Sequence, residues 1–139
     1  MAVKNSQIIK LEIPSSMDFV YLLDAVITEI LQQMGFDRDA TDQVNLAVIE
    51  AGTNAIKHGN REEPRKRAYF DFMMYPEELV VIVRDEGEGF DAQTTEDPLK
   101  PENLLNSSGR GLFLMEACMD SVDFSQNGTV VAMTKKITS

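Results

Sequence analysis

The chain has one cysteine in 139 residues, Cys118, and so no internal disulfide. That favours a reducing compartment, and a cytoplasmic protein is expected. Free cysteine is among the most buried residue types, and Cys118 lies in an apolar, helix-like stretch, so its thiol is expected in the core. Positive charge is scarce: 13 Lys and Arg against 23 Asp and Glu leave a net charge of −10. That balance disfavours a nucleic-acid surface and permits a basic protein partner. Apolar runs are short, and none approaches the roughly 18 residues that span a membrane. The N-terminal residues lack the pattern of a signal peptide. Internal repeats and low-complexity tracts are absent. What is present, 43% hydrophobic and 26% charged residues, suits one globular domain over residues 1–139.

Gln7 to Ile13 alternates and reads as a strand stopped by Pro14, with Ser15 or Ser16 as the cap of a following helix. Phe19, Leu22, Leu23, Val26, Ile27, Ile30 and Leu31 recur at helical spacing as far as Met34, and Gly35 ends that helix. A second helix opens at Asp37 to Ala40 and runs to Gly59. Asn60 to Lys66 is a polar loop. Arg67 to Tyr75 and Leu79 to Arg84 form a hairpin about Pro76-Glu77-Glu78. The second of these strands is continuously apolar, which predicts a central, covered position. Residues 85–109 carry almost no periodic pattern, and a segment of that length inside a small domain suggests a lid, placed at about 91–110. Gly111 to Met119 is a short helix. Val122 to Phe124 and Thr129 to Ile137 are strands joined at Asn127-Gly128. The order β-α-α-β-β-lid-α-β-β predicts an α+β two-layer sandwich, with helices on one face of a mixed, mostly antiparallel sheet.

Three clusters carry chemistry. The first is Glu50-Ala-Gly-Thr-Asn54-Ala-Ile-Lys57-His58-Gly59. Glu50 and Asn54 stand one helical turn apart and Lys57 and His58 follow, so the four side chains can share a face. Oxygen donors there suit Mg²⁺, which binds through few protein groups plus waters and phosphates. Glu50 is placed to act as a general base and Asn54 to meet the metal, while Lys57 and His58 can reach phosphate. The second is Asp85-Glu-Gly87-Glu-Gly89, where a carboxylate at a strand end can accept from an exocyclic amine and glycines admit a flat ring. The third is Ser107-Ser108-Gly109-Arg110-Gly111-Leu112, where amides at a helix start and a guanidinium can hold an anion. It is neither a Walker A loop nor a dinucleotide fingerprint. Thr129 adds a hydroxyl that can support Asp85 or a purine. Taken singly, each cluster also fits a plainer role: a solvated polar face with His58 as a helix cap, a charged turn, a flexible loop, a hairpin.

Together and in this order, the clusters resemble the GHKL superfamily of ATPases and kinases, which includes gyrase, MutL and histidine kinases and shares the Bergerat nucleotide-binding fold. The resemblance runs from the first strand to the last. It is nearest to the bacterial anti-sigma-factor serine/threonine kinases of the RsbW and SpoIIAB type, through Glu50-Ala-Gly-Thr-Asn54-Ala-Ile-Lys-His58-Gly59 and Gly109-Arg-Gly111-Leu-Phe-Leu-Met115-Glu-Ala-Cys-Met119-Asp120. It implies ATP and Mg²⁺ as cofactors, with Glu50 as the base that activates an acceptor serine and Asn54 as the Mg²⁺ ligand. Asp85 would bind the adenine amine, with Gly87 and Gly89 shaping the pocket. The Gly109–Leu112 backbone and Arg110 would meet the phosphates. It also implies a homodimer that binds a sigma factor and phosphorylates an anti-anti-sigma (STAS-type) protein on serine, with no role for nucleic acid or membrane. One departure is a short second glycine box, Gly-Arg-Gly. The competing expectation is a nucleotide-gated interaction switch without chemistry. A histidine-kinase catalytic domain fits less well, since the one histidine lies inside the first cluster.

Overall fold

The computed structural model describes residues 6–88 and 107–138, and for 107–110 the backbone alone. Strand β1 is Gln7–Pro14, and a 3₁₀ turn at Met17–Phe19 leads into helix α1, Val20–Met34. Helix α2 is Arg38–Thr53 and continues without a break into a π-helical turn, Asn54–Gly59. Strands β2 (Arg67–Met74) and β3 (Glu78–Arg84) follow. Helix α3 is Ser107–Cys118, and strands β4 (Ser121–Ser125) and β5 (Val130–Lys136) close the chain.

Local chemistry sets the boundaries. Asp37 caps α2 by accepting from the Ala40 N–H at 2.8 Å. Gly35, at φ +84°, ends α1 with bonds from its own N–H to Gln32 O and from the Phe36 N–H to Leu31 O, the paired pattern that a left-handed residue allows. Of the two candidate caps, Ser16 caps the 3₁₀ turn, accepting from the Asp18 N–H, whereas Ser15 faces inward; α1 itself starts after Phe19 with no side-chain cap. Helix α3 begins one turn earlier than its apolar pattern indicates, because Ser107 to Arg110 are helical rather than loop. A run of Ser and Gly offers no apolar side chains to reveal helical periodicity.

The five described strands form one sheet in the order β1-β2-β3-β5-β4, and every pairing is antiparallel. The mixed pairing allowed by the sequence does not occur among them. All three helices lie together on one face: α2 packs on both α1 and α3 and reaches β3. The core joins Leu23, Ile27, Leu31 and Val48 of the helices to Phe70, Phe72, Leu79, Val81 and Met133 of the sheet. Strand β3 is central, as its apolar run implies, yet only Leu79, Val81 and Val83 are buried. Val80 and Ile82, on the other face, stay half-exposed, so the strand is covered on one side. Cys118 is buried, 8% exposed, and burial pushes its thiol pKa up. No described helix is long and apolar enough to cross a membrane.

Candidate functional site

A cavity of about 270 Å³ opens between the α2 continuation, the end of β3, the start of α3 and the β4–β5 turn. Asn54 and His58 line it from the helix side, one turn apart. The turn they occupy is π-helical, marked by the Asn60 N–H bonding back five residues to Ala55 O at 2.8 Å. A widened turn shifts the facing of every residue after it, and such turns gather at functional sites. Here it leaves Lys57 exposed and off the cavity wall. Of the four side chains expected to converge, Asn54 and His58 face the cavity and Glu50 stands beside Asn54.

The start of α3 closes that end. A Cβ built on Gly111 would lie 3.1 Å from Glu50 Oε2 and 3.2 Å from Asn54 Nδ2. Helix α3 therefore meets the Glu50–Asn54 pair across a residue without a side chain. Leu112 follows into the cavity wall. Ser108, Gly109 and Arg110 form the first turn of this helix, and their side chains lie outside the described residues.

At the other end stands Asp85, one residue beyond β3. Its N–H donates to Thr129 O at 3.0 Å, which ties it to the β4–β5 turn. Its Oδ1 accepts from the Gly87 N–H at 2.8 Å, and its carboxylate lies over the α-carbon of Gly59, where a Cβ would collide with it. Gly87 packs just as closely on the Gly59 carbonyl. The two glycines let the helix end and the strand end touch backbone to backbone. Half-burial pushes the Asp85 pKa up; the Gly87 amide and the Lys66 ammonium pull the other way. No hydrogen bond to its other oxygen, Oδ2, is formed among the described residues, and Asp85 lines the cavity. Thr129 supports Asp85 through its carbonyl, while its hydroxyl proton goes to Gln126 O at 2.7 Å. Gly89 lies outside the described residues.

Between these polar ends the walls are apolar: Ala51, Ala55, Val83, Met115, Phe124 and Val131. The sequence patterns show them as core residues and give no sign that they line a ligand space. Nor does the sequence mark Asn60, Ser15 and Glu86 as partners in one buried network. Asn60 reads as the first residue of a polar loop, but it is fully buried and bonded to Ser15 and to the Glu86 N–H. Among the described residues no three His, Cys, Asp or Glu side chains are grouped to hold a metal. One carboxylate and one amide, Glu50 and Asn54, are too few for an all-protein cage but suit Mg²⁺ that arrives with phosphates and water.

Residues 13–135 match the family of the histidine kinase-like ATPase domain. Serine-protein kinase RsbW of Bacillus subtilis is 32% identical over 138 residues, covering 94% of this chain and 86% of that protein. The RsbW of Staphylococcus aureus is 31% identical over 139 residues, covering 93% and 86%. A crystal structure of the RsbU and RsbW domains of a Mycobacterium tuberculosis protein shares the fold, with a TM-score of 0.61 at 14% identity. It is matched over 94% of this chain, which spans about a third, 32%, of that longer one. On the match of nearly its whole length, the chain belongs to the histidine kinase-like ATPase domain family and, within it, to the RsbW serine-protein kinases.

Proposed function

We propose that this cavity binds ATP and that the chain is an anti-sigma-factor kinase, which holds a sigma factor and phosphorylates an anti-anti-sigma protein on serine. The carrying observation is the polarity of the cavity. A half-buried carboxylate stands at one end, apolar walls in the middle, and Gly111, one turn into α3, beside Glu50 and Asn54 at the other. Its volume of about 270 Å³ falls just under the range of roughly 300–1,000 Å³ usual for small ligands, so it suits the base and sugar, with the phosphates leaving toward α3. Asp85 Oδ2 accepts from the exocyclic amine. The first amides of α3 offer N–H groups and positive dipole to phosphate, and Arg110 adds charge. Asn54, beside Glu50, would hold Mg²⁺ arriving with the nucleotide, and the ion would supply positive charge against the phosphates. Glu50 takes the proton of the acceptor serine. Kinship with the RsbW kinases supports sigma and anti-anti-sigma partners and a homodimer.

The test is transfer of the γ-phosphate from ATP to a serine-bearing anti-anti-sigma protein. Glu50→Ala is expected to bind ATP as the wild type does and to transfer phosphate at least about 100-fold more slowly, the usual effect of removing a general base. Transfer at the wild-type rate would remove Glu50 from the mechanism. A wild type that binds ATP and transfers nothing would leave a nucleotide-gated interaction switch.

A further inference from the structure

Ser15 and Asn60 are the buried polar side chains among the described residues, 3% and 0% exposed, and they bond to each other. The Asn60 amide donates one N–H to Ser15 Oγ at 2.7 Å and the other to Arg67 O at 2.9 Å, and its Oδ1 accepts from the Glu86 N–H at 2.7 Å. Arg67 O can only accept and the Glu86 N–H can only donate, so the partners dictate which end of the amide is which. Ser15 passes its own proton to Lys66 O at 2.7 Å. The end of β1, the exit of the π-helical turn, the start of β2 and the turn after β3 thus meet on one carboxamide. A buried amide is costly unless it is fully bonded, and this one is.

We infer that Asn60 is a positioning residue for the ligand's base: by gripping the Glu86 amide it fixes where the Asp85 carboxylate points. The inference rests on the reading of Asp85 as the acceptor of an exocyclic amine. Asp85 is held on its N-terminal side by Thr129 O and on its C-terminal side by the Asn60–Glu86 bond. The Gly87 amide that orients Asp85 Oδ1 is the next residue along. Glu86 adds a weaker, exposed hold, its carboxylate accepting from the Arg67 N–H at 2.7 Å and the Tyr69 hydroxyl at 3.1 Å. With the buried bond cut, the C-terminal side of Asp85 keeps only this exposed hold and the packing of Gly87 on the Gly59 carbonyl. Asp85 then no longer presents Oδ2 at one fixed place. Ser15 lies on the far side of Asn60 from Asp85, so its loss loosens the hub without freeing the Glu86 amide.

Calorimetric titration of the full chain with ADP and with inosine diphosphate, which carries a 6-oxo group in place of the amine, separates positioning from plain stability. Wild type is expected to prefer ADP by roughly tenfold or more, the effect of one unmatched buried acceptor. Asn60→Ala should shrink that preference severalfold. Asn60→Asp, which keeps an oxygen for the Glu86 amide, should retain it despite a lower melting temperature. Ser15→Ala should also melt lower and retain it. An Asn60→Ala protein that binds ADP more weakly yet keeps the wild-type ratio would overturn the inference. A wild type that binds ADP without preferring it would overturn the adenine reading itself, and this inference with it. If Asn60→Ala does not fold, hydrogen exchange of the Glu86 amide in unliganded wild type decides: protection like that of β3 supports the grip, and exchange at the solvent rate refutes it.

Discussion

At the scale of single residues, Gly59 and Gly87 look alike in sequence and do different work. A methyl on Gly59 meets the side chain of Asp85, which can rotate away; a methyl on Gly87 meets the Gly59 backbone, which cannot. Gly59→Ala is therefore expected to stay folded and to bind ATP at least about tenfold more weakly, because the displaced carboxylate loses the amine. Wild-type affinity in that variant, by calorimetry, would show that Asp85 need not sit where it does. Asp85 itself illustrates a site held at some expense to stability. Burial raises its pKa in the folded state above the ordinary 3.8, so ionisation favours the unfolded chain. The penalty is absent below 3.8 and fully present above the raised folded value. Asp85→Asn, which still offers Oδ1 to the Gly87 amide, should melt at or above the wild-type temperature near neutral pH. Thermal scans on both proteins would check this, and a clearly lower melting point in the variant would contradict it.

Among the elements, the most regular were legible from sequence and the site-building ones were not. The 3.6-residue pattern of α1 is a consequence of one-sided burial, so hydrophobicity reveals it, and the β2–β3 hairpin is marked by the turn residues between its strands. The π-helical turn after Thr53 has no such signature. It arises where backbone bonds shift by one residue, and it is the turn from which His58 faces the cavity while Lys57 stays off its wall. The early start of α3 was hidden because Ser107 to Gly111 hold no apolar periodicity. Caps were readable, since they depend on local chemistry: Asp37 precedes α2 and bonds the Ala40 amide. Asp37→Ala is expected to cost about 1 kcal/mol of stability by denaturant melts and to leave nucleotide affinity unchanged, because the cap sits at the end of α2 far from Asn54 along the helix. A change in affinity without loss of stability would mean that α2 transmits strain to the cavity.

For the molecule as a whole, the sequence revealed the polar residues of the site better than its walls. Glu50, Asn54, Asp85 and Gly111 are conspicuous because their clusters occur together and in order, although each cluster alone fits a plainer role. Val83, Met115, Phe124 and Val131 are indistinguishable from core until the fold brings them round one space. Asn60 escaped notice for the opposite reason: a polar residue after a helix end is ordinary, and only its burial makes it informative. Among the described residues the helices cover one sheet face, and Val80 and Ile82 on the other are half-exposed. We expect the chain to sediment as a homodimer, and a single species of monomer mass at all concentrations would refute that. We propose that Asp85 anchors a nucleotide in the cavity between α2 and α3. Titration of wild type and Asp85→Asn with Mg²⁺ and ATP in a calorimeter tests it most directly. Saturable binding by the wild type, weakened at least about tenfold in the variant, is the expected result; equal binding in both, or none in either, would contradict it.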